Sequence, residues 1–181
     1  MRAFLAVDLD AATIAKVAAT GESLRGHRAL ARARWVARDT MHVTLRFLGE
    51  IDEAKVLAFA ALVPRLGARA AIAIAGAKVI AFPDARRARV LAVEIEEPSG
   101  ALAAMACEAE AAAVALGLAP EERAYRPHVT LARMKEPADV REVLATRIDV
   151  GGGRIVSVAL FESVLGKSGR RYTSLARCDL T

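Results

Sequence analysis

His42-Val43-Thr44-Leu45 and His128-Val129-Thr130-Leu131 are one tetrapeptide written twice, 86 residues apart. The chain has only three histidines, and two of them lie in this repeat. The first copy sits in MHVTLRFLGE, residues 41–50, and the second in YRPHVTLARM, residues 125–134. In both, apolar and polar residues alternate, the period-two pattern of a strand with one buried face. Residues two apart on a strand point the same way. His42 and Thr44 therefore share a face, as do His128 and Thr130, while Val43, Leu45, Val129 and Leu131 turn towards a core. Pro127 pushes Arg126 towards extended backbone and opens the second strand. If both polar faces line one cleft, two imidazoles and two hydroxyls converge on a small volume.

Outward from the repeat the chain alternates between the two classes of element. Residues 3–8 read as a strand, and Asp10 caps a helix with Ile14, Val17, Ala18 and Leu24 on one face. Residues 25–34 are basic and irregular, and His27 reads as a solvated loop histidine. Gly49 ends the first HVTL strand. Asp52 caps a second helix, with Val56, Phe59, Ala60 and Val63 on one side and Pro64 as its stop. Residues 70–82 and 89–96 read as strands around a turn at FPDARR. Residues 99–116 form an Ala-rich helix with Gly117 just past its end. After the second HVTL strand come a short helical stretch at 137–146, a turn at Gly151–Gly153, and strands at 154–165 and 171–180 joined by a turn at GKSGR. The order β-α-β-α-β-β-α-β-(α)-β-β favours an α+β fold over a doubly wound parallel sheet. No low-complexity segment or linker divides residues 1–181, which read as a single domain.

Composition narrows the class. The chain is 55% apolar and 26% charged, far from the disordered regime. Its net charge is +5, and 21 of its 26 basic residues are Arg. Arg presents a planar fork suited to phosphate oxygens and stacks on bases, so an anionic partner, nucleic acid included, fits this surface. Cys107 and Cys178 match no metal or redox spacing and read as reduced thiols. The apolar start AFLAV is broken by Asp8 and Asp10, and the longest apolar stretch, Ala101 to Leu118, contains Glu108 and Glu110. Neither is a secretory signal or a membrane span, and the expectation is a soluble cytoplasmic protein.

Displacement at phosphorus needs a base at the entering oxygen and an acid at the leaving one. Imidazole serves in both roles near neutral pH, and a Thr hydroxyl can donate to a non-bridging oxygen. Two His-Thr pairs therefore make a complete set without a metal or cofactor. Two histidines with no Cys, Asp or Glu at ligand spacing make a poor metal site. Gly166-Lys167-Ser168 imitates the end of a P-loop, but Phe161 stands where its first Gly is required.

On these residues the sequence resembles the 2H phosphoesterase superfamily, and within it the RNA 2',3'-cyclic phosphodiesterase branch, called LigT-like or 2'-5' RNA ligase. The likeness runs from RAFLAVDL through Trp35-Val36, HVTLRFLGE and YRPHVTLAR to LFESVL and GRRYTSLARCDL. It implies a bilobal, pseudo-twofold fold whose antiparallel sheets line a central cleft, with helices packed outside. It implies hydrolysis of an RNA 2',3'-cyclic phosphate end to a 2'-phosphate, with tRNA fragments among the candidate RNAs, by a monomer. By the same resemblance His42 is the acid at O3', His128 the base on water, and Thr44 and Thr130 hold the phosphate. Arg133, five residues after the second His, is expected to stack on the terminal base together with Phe4, although strict alternation turns Arg133 away from His128 unless a bulge intervenes. Arg46 shares the His42 face by alternation and is a second phosphate contact. Trp35 is placed along the cleft, with a core position as its alternative. A small cyclic nucleotide or a 2'-5' linkage as substrate, and an idle RNA-end-binding module, are the competing readings.

Overall fold

The computed structural model describes residues 1–144, 146–166 and 169–181. Its strands are β1 (Arg2–Leu9), β2 (Arg34–Trp35), β3 (Val43–Glu50), β4 (Ile72–Ala73), β5 (Gly76–Phe82), β6 (Ala88–Glu96), β7 (His128–Ala138), β8 (Arg147–Ile148), β9 (Arg154–Gly166) and β10 (Gly169–Asp179). Three helices, α1 (Ala11–Leu24), α2 (Glu53–Gly67) and α3 (Ala101–Ala115), complete the α+β fold. The main sheet order is β10-β9-β1-β3-β7-β6-β5-β8, with β2 on β7 and β4 on β9, and every described pairing is antiparallel.

Two half-sheets meet at the repeat. A single residue pair, Val43 opposite Val129, joins β3 to β7. Beyond it the strands find other partners: β3 follows β1, while β7 takes up β6 and, through Arg34–Trp35, β2. The 86-residue offset extends past the HVTL strands. LAVDL at 5–9 and LAVEI at 91–95 stand at the same spacing, on the strands flanking β3 and β7. Residues 5, 7, 43, 91, 93 and 129, all Leu or Val, form the middle of the core with no more than traces of exposure.

The helices cover the face these residues define. The Asp10 side chain caps α1 and that of Asp52 caps α2, each accepting the N–H three residues on, as expected for Asp at an N-cap. Gly117 adopts the left-handed backbone predicted for it beyond α3. Two helix expectations need correction. Pro64 does not stop α2, which continues to Gly67. A proline in the last turn removes one hydrogen bond, and burial of Leu66 against the core outweighs that loss. The stretch 137–146 is not a helix: β7 runs through Ala138, and only a single 3-10 turn at Arg141–Val143 follows. The GKSGR turn and the P-loop imitation at Gly166-Lys167-Ser168 fall partly outside the described residues.

No helix among the described residues is long and apolar enough to cross a membrane. Phe59 of α2 is fully buried where that helix packs on β9 and β10. Phe59→Ala is therefore expected to lose about 3–5 kcal/mol of unfolding free energy, read from the urea midpoint, with little change in the denaturant slope.

Candidate active site

The opposite face of the sheet carries the repeat's polar residues. One step along either strand from the Val43–Val129 pair brings His42 beside Thr130, and Thr44 beside His128. Diagonal neighbours across such a pair lie about 7–8 Å apart at the backbone, so the two imidazoles stand on one face of the sheet, close enough for the charge of His128 to act on His42. All four side chains are half-buried.

The two rings are held alike. His42 Nδ1 lies 2.8 Å from the Thr40 carbonyl, and His128 Nδ1 lies 2.7 Å from the Arg126 carbonyl. A carbonyl only accepts, so Nδ1 carries hydrogen in both and each Nε2 is left for a substrate. Phe4 packs against His42 at 4.8 Å between ring centroids, with Tyr172 edge-on to the same imidazole at 5.3 Å. Phe82 packs against His128 at 4.9 Å.

Burial pushes both imidazole pKa values below the ordinary value, and the hydrogen bond to the carbonyl opposes this in each. The charges around the two rings differ. At His42 the leading charge is the Asp8 carboxylate, which favours the imidazolium; His128 and Arg133 act more weakly against it. At His128 the leading charges are Arg133 and Arg126, which disfavour the imidazolium, with Glu94 acting weakly in its favour.

Matching bulges decide what else reaches this face. Leu5 pairs with Arg46 but Ala6 with Thr44, so Leu45 is the extra residue on β3. Leu91 pairs with Ala132 but Ala92 with Thr130, so Leu131 is the extra residue on β7. Each bulge shifts the following residues by one and exchanges their faces. Arg133 thereby comes onto the histidine face, exposed, and its charge is felt at both imidazoles.

The same device removes Arg46, which alternation had put beside His42. Its guanidinium lies on the helix side, with only 10% of the side chain exposed, ion-paired to Glu110 of α3 and donating to the carbonyls of Phe47 and Ala119. Phe47 takes the vacated face. It stands 86 residues before Arg133 and is 54% exposed.

Three other expectations are corrected. Phe4 is on the histidine face but 3% exposed, enclosed by His42, Phe47, Phe161 and Tyr172. It supports the His42 ring and offers no free surface to a base. Trp35 lies on the other side of the sheet, near Gly21 of α1 and Leu131, beneath the Arg25 guanidinium. His27 is not simply solvated: its Nδ1 accepts the Ala29 N–H, and its Nε2 is 3.1 Å from Glu142.

The sequence reading missed Asp8 and Glu94. Glu94 is paired directly with His128 across β6 and β7, and Asp8 holds the equivalent place beside His42, one residue beyond the Val7–Val43 pair. The LAVDL and LAVEI repeat was the available signal.

Known proteins place this arrangement in context. The family model described as LigT like Phosphoesterase matches the chain twice, at residues 7–92 and 93–172, the two matches beginning 86 residues apart like the repeat itself. An RNA 2',3'-cyclic phosphodiesterase of Methanothermobacter thermautotrophicus is 33% identical over 184 residues, spanning 97% of this chain and 96% of the relative. One from Aeropyrum pernix is 31% identical over 149 residues, 77% of this chain and 82% of the relative. Among solved structures, a protein of Thermus thermophilus superposes with a TM-score of 0.80 at 27% identity, covering 99% of this chain and 98% of the other. E. coli LigT in its apo form superposes with a TM-score of 0.77 at 26% identity, over 99% and 97% of the two chains.

Proposed function

Because the chain belongs to the LigT-like phosphoesterase family, we propose that it is a hydrolase of RNA 2',3'-cyclic phosphate ends and leaves a 2'-phosphate. The observation that carries the reading is the pairing of Val43 with Val129, which sets two His-Thr pairs crosswise on one face.

In the proposed reaction a water oxygen attacks phosphorus while His128 Nε2 takes its proton. The P–O3' bond breaks, and His42 Nε2 delivers a proton to O3', which leaves as the 3'-hydroxyl. Thr44 and Thr130 donate to the non-bridging oxygens, and the Arg133 guanidinium faces the charge that builds on them. The roles follow the unequal electrostatics: Asp8 favours a proton on His42, whereas Arg133 and Arg126 favour a neutral His128. Phe47 presents the open aromatic surface on which a base can stack. Relatives named for the same activity, and a LigT structure complexed with 3'-AMP, support an RNA end as substrate. With a 5'-hydroxyl in place of water, the same steps would join two RNA ends through a 2'-5' linkage: the 5' oxygen loses its proton and attacks phosphorus, and O3' leaves as the 3'-hydroxyl. The proposal includes a cytoplasmic monomer, with tRNA fragments among its RNAs.

The test is turnover of an oligonucleotide bearing a 2',3'-cyclic end, with and without chelator. The expected product carries its phosphate on the 2' oxygen, at a rate the chelator leaves unchanged. The pH profile should be bell-shaped, with its acidic limb below the ordinary imidazole value because burial holds both rings down. A 3'-phosphate product, or saturable binding without turnover, would reject the reading. Equal or better turnover of mononucleotide cyclic phosphates would move the substrate to small nucleotides.

A further inference from the structure

Asp8 and Glu94 form a third duplicated pair on the histidine face, 86 residues apart like the histidines and the threonines. Neither carboxylate takes the Nδ1 hydrogen of its neighbouring imidazole, since backbone carbonyls hold that position in both. Each is instead held beside its ring by basic side chains: Arg177 for Asp8, Arg126 and Lys78 for Glu94.

The pinning is unequal. Asp8 accepts from Arg177 at 2.8 Å and from the Ser157 hydroxyl at 3.0 Å, so a single cation answers it. Glu94, whose side chain is 17% exposed, accepts two hydrogen bonds from Arg126, at 2.9 and 2.7 Å, and is ion-paired to Lys78 at 3.3 Å. Burial alone would raise the Glu94 pKa, but those cations outweigh it and hold the carboxyl below its ordinary value. Arg126 links the cluster to the ring, because its carbonyl holds His128 Nδ1 and its guanidinium lies over Phe82, which packs on His128.

We propose that Asp8 and Glu94 are positioning residues that divide the proton between the two imidazoles: Asp8 as a carboxylate answered by one cation, Arg177, beside His42, Glu94 as a carboxylate overbalanced by two, Arg126 and Lys78, beside His128. The inference rests on the acid and base roles given above. Around His42 the charged and titratable groups are Asp8 and, through it, Arg177, with Arg133, His128 and Tyr172. Around His128 they are Glu94 with Lys78, then Arg126, Arg133 and His42. The one difference of sign between the two sets lies in the cations per carboxylate. A duplicated catalytic pair needs such a difference, since two identical imidazoles would share the proton evenly and half the molecules would hold it on the wrong side.

The experiment is an NMR titration of the ring protons in the full chain, where only His27, His42 and His128 give signals, with the pH–rate profile measured in parallel. Asp8→Asn is expected to lower the His42 midpoint by about half a pH unit or more and leave that of His128 in place. Glu94→Gln should do the reverse, moving His128 down by a similar amount. Lys78→Met removes a cation from a partly exposed position and should move His128 up. The opposite signs of the Glu94 and Lys78 variants separate an electrostatic role from loosened packing. In the rate profile Glu94→Gln should shift the acidic limb down and Asp8→Asn the alkaline limb. Midpoints that stay in place in all three variants overturn the proposal, as does a downward shift in Lys78→Met. Should Asp8→Asn fail to fold, the Glu94 and Lys78 variants decide alone. Absence of turnover in the parent chain would instead reject the phosphodiesterase reading, while the ring titrations would still report on the carboxylates.

Discussion

Replacing either His42 or His128 by Ala is expected to lower turnover of a cyclic-phosphate RNA end by at least about 10²–10⁴-fold, the usual worth of one acid–base group. The two losses should not add. Each imidazole completes one half of a single displacement, so the double variant should be little worse than either single one, as for groups that act as a unit. The Nδ1 geometry gives the prediction a second edge. Both rings are locked by backbone carbonyls, and substituting the side chain leaves those carbonyls free to turn to water, so the variants should fold normally. Urea midpoints near that of the parent, with kcat reduced and KM little changed, make the expected pattern. Substantial activity in His42→Ala would remove the proposed mechanism.

Arg133→Ala is expected to cost about 10²–10³-fold in kcat, the scale of losing one donor aimed at charge that develops in the transition state. Arg46→Ala is expected to leave kcat nearly unchanged and to lower stability instead. Alternation along the strand predicts the opposite pair of outcomes, so the comparison tests the two bulges directly. Arg46 lies against α3, and its removal strands Glu110, an acid with 28% of its side chain exposed. Leaving a partly buried charge without its partner is costly. Arg133 has no such partner among the described ion pairs, which leaves its guanidinium open to an anion. Steady-state kinetics and urea melts on both variants decide the matter. A strong kcat loss in Arg46→Ala with a normal melt would contradict this assignment of faces.

The contrast between these two arginines shows where the sequence is readable. The His-x-Thr pairs, the three helices and most strands follow from local patterns: alternation for the strands, Asp caps and a 3.6-residue spacing for the helices. A bulge leaves no such mark when the extra residue is a leucine that the core accepts. Leu45 and Leu131 continue the apolar alternation in the text of the sequence while breaking it in space. Every assignment made beyond them by counting in twos is therefore reversed, Arg46 leaving the site and Arg133 entering it. Phe4 and Trp35 failed for a different reason. An aromatic ring serves a core as well as a cleft, and only the depth of Phe4 and the side occupied by Trp35 separate the two. The carboxylates beside the histidines were legible in principle, because LAVDL and LAVEI repeat at the interval that had already revealed the histidines.

Phe47 and Arg133 occupy equivalent places in the two halves, yet one is an aromatic ring and the other a cation. A pocket with true twofold symmetry could accept a five-membered cyclic phosphate in either of two orientations, and its two ester oxygens would be indistinguishable to it. On the proposed mechanism, unlike residues at this matched position give the ligand a preferred heading: the nucleoside to one lip, the anion to the other. Which oxygen is released, and so which hydroxyl keeps the phosphate, is then governed by a departure from the repeat and not by the repeat itself.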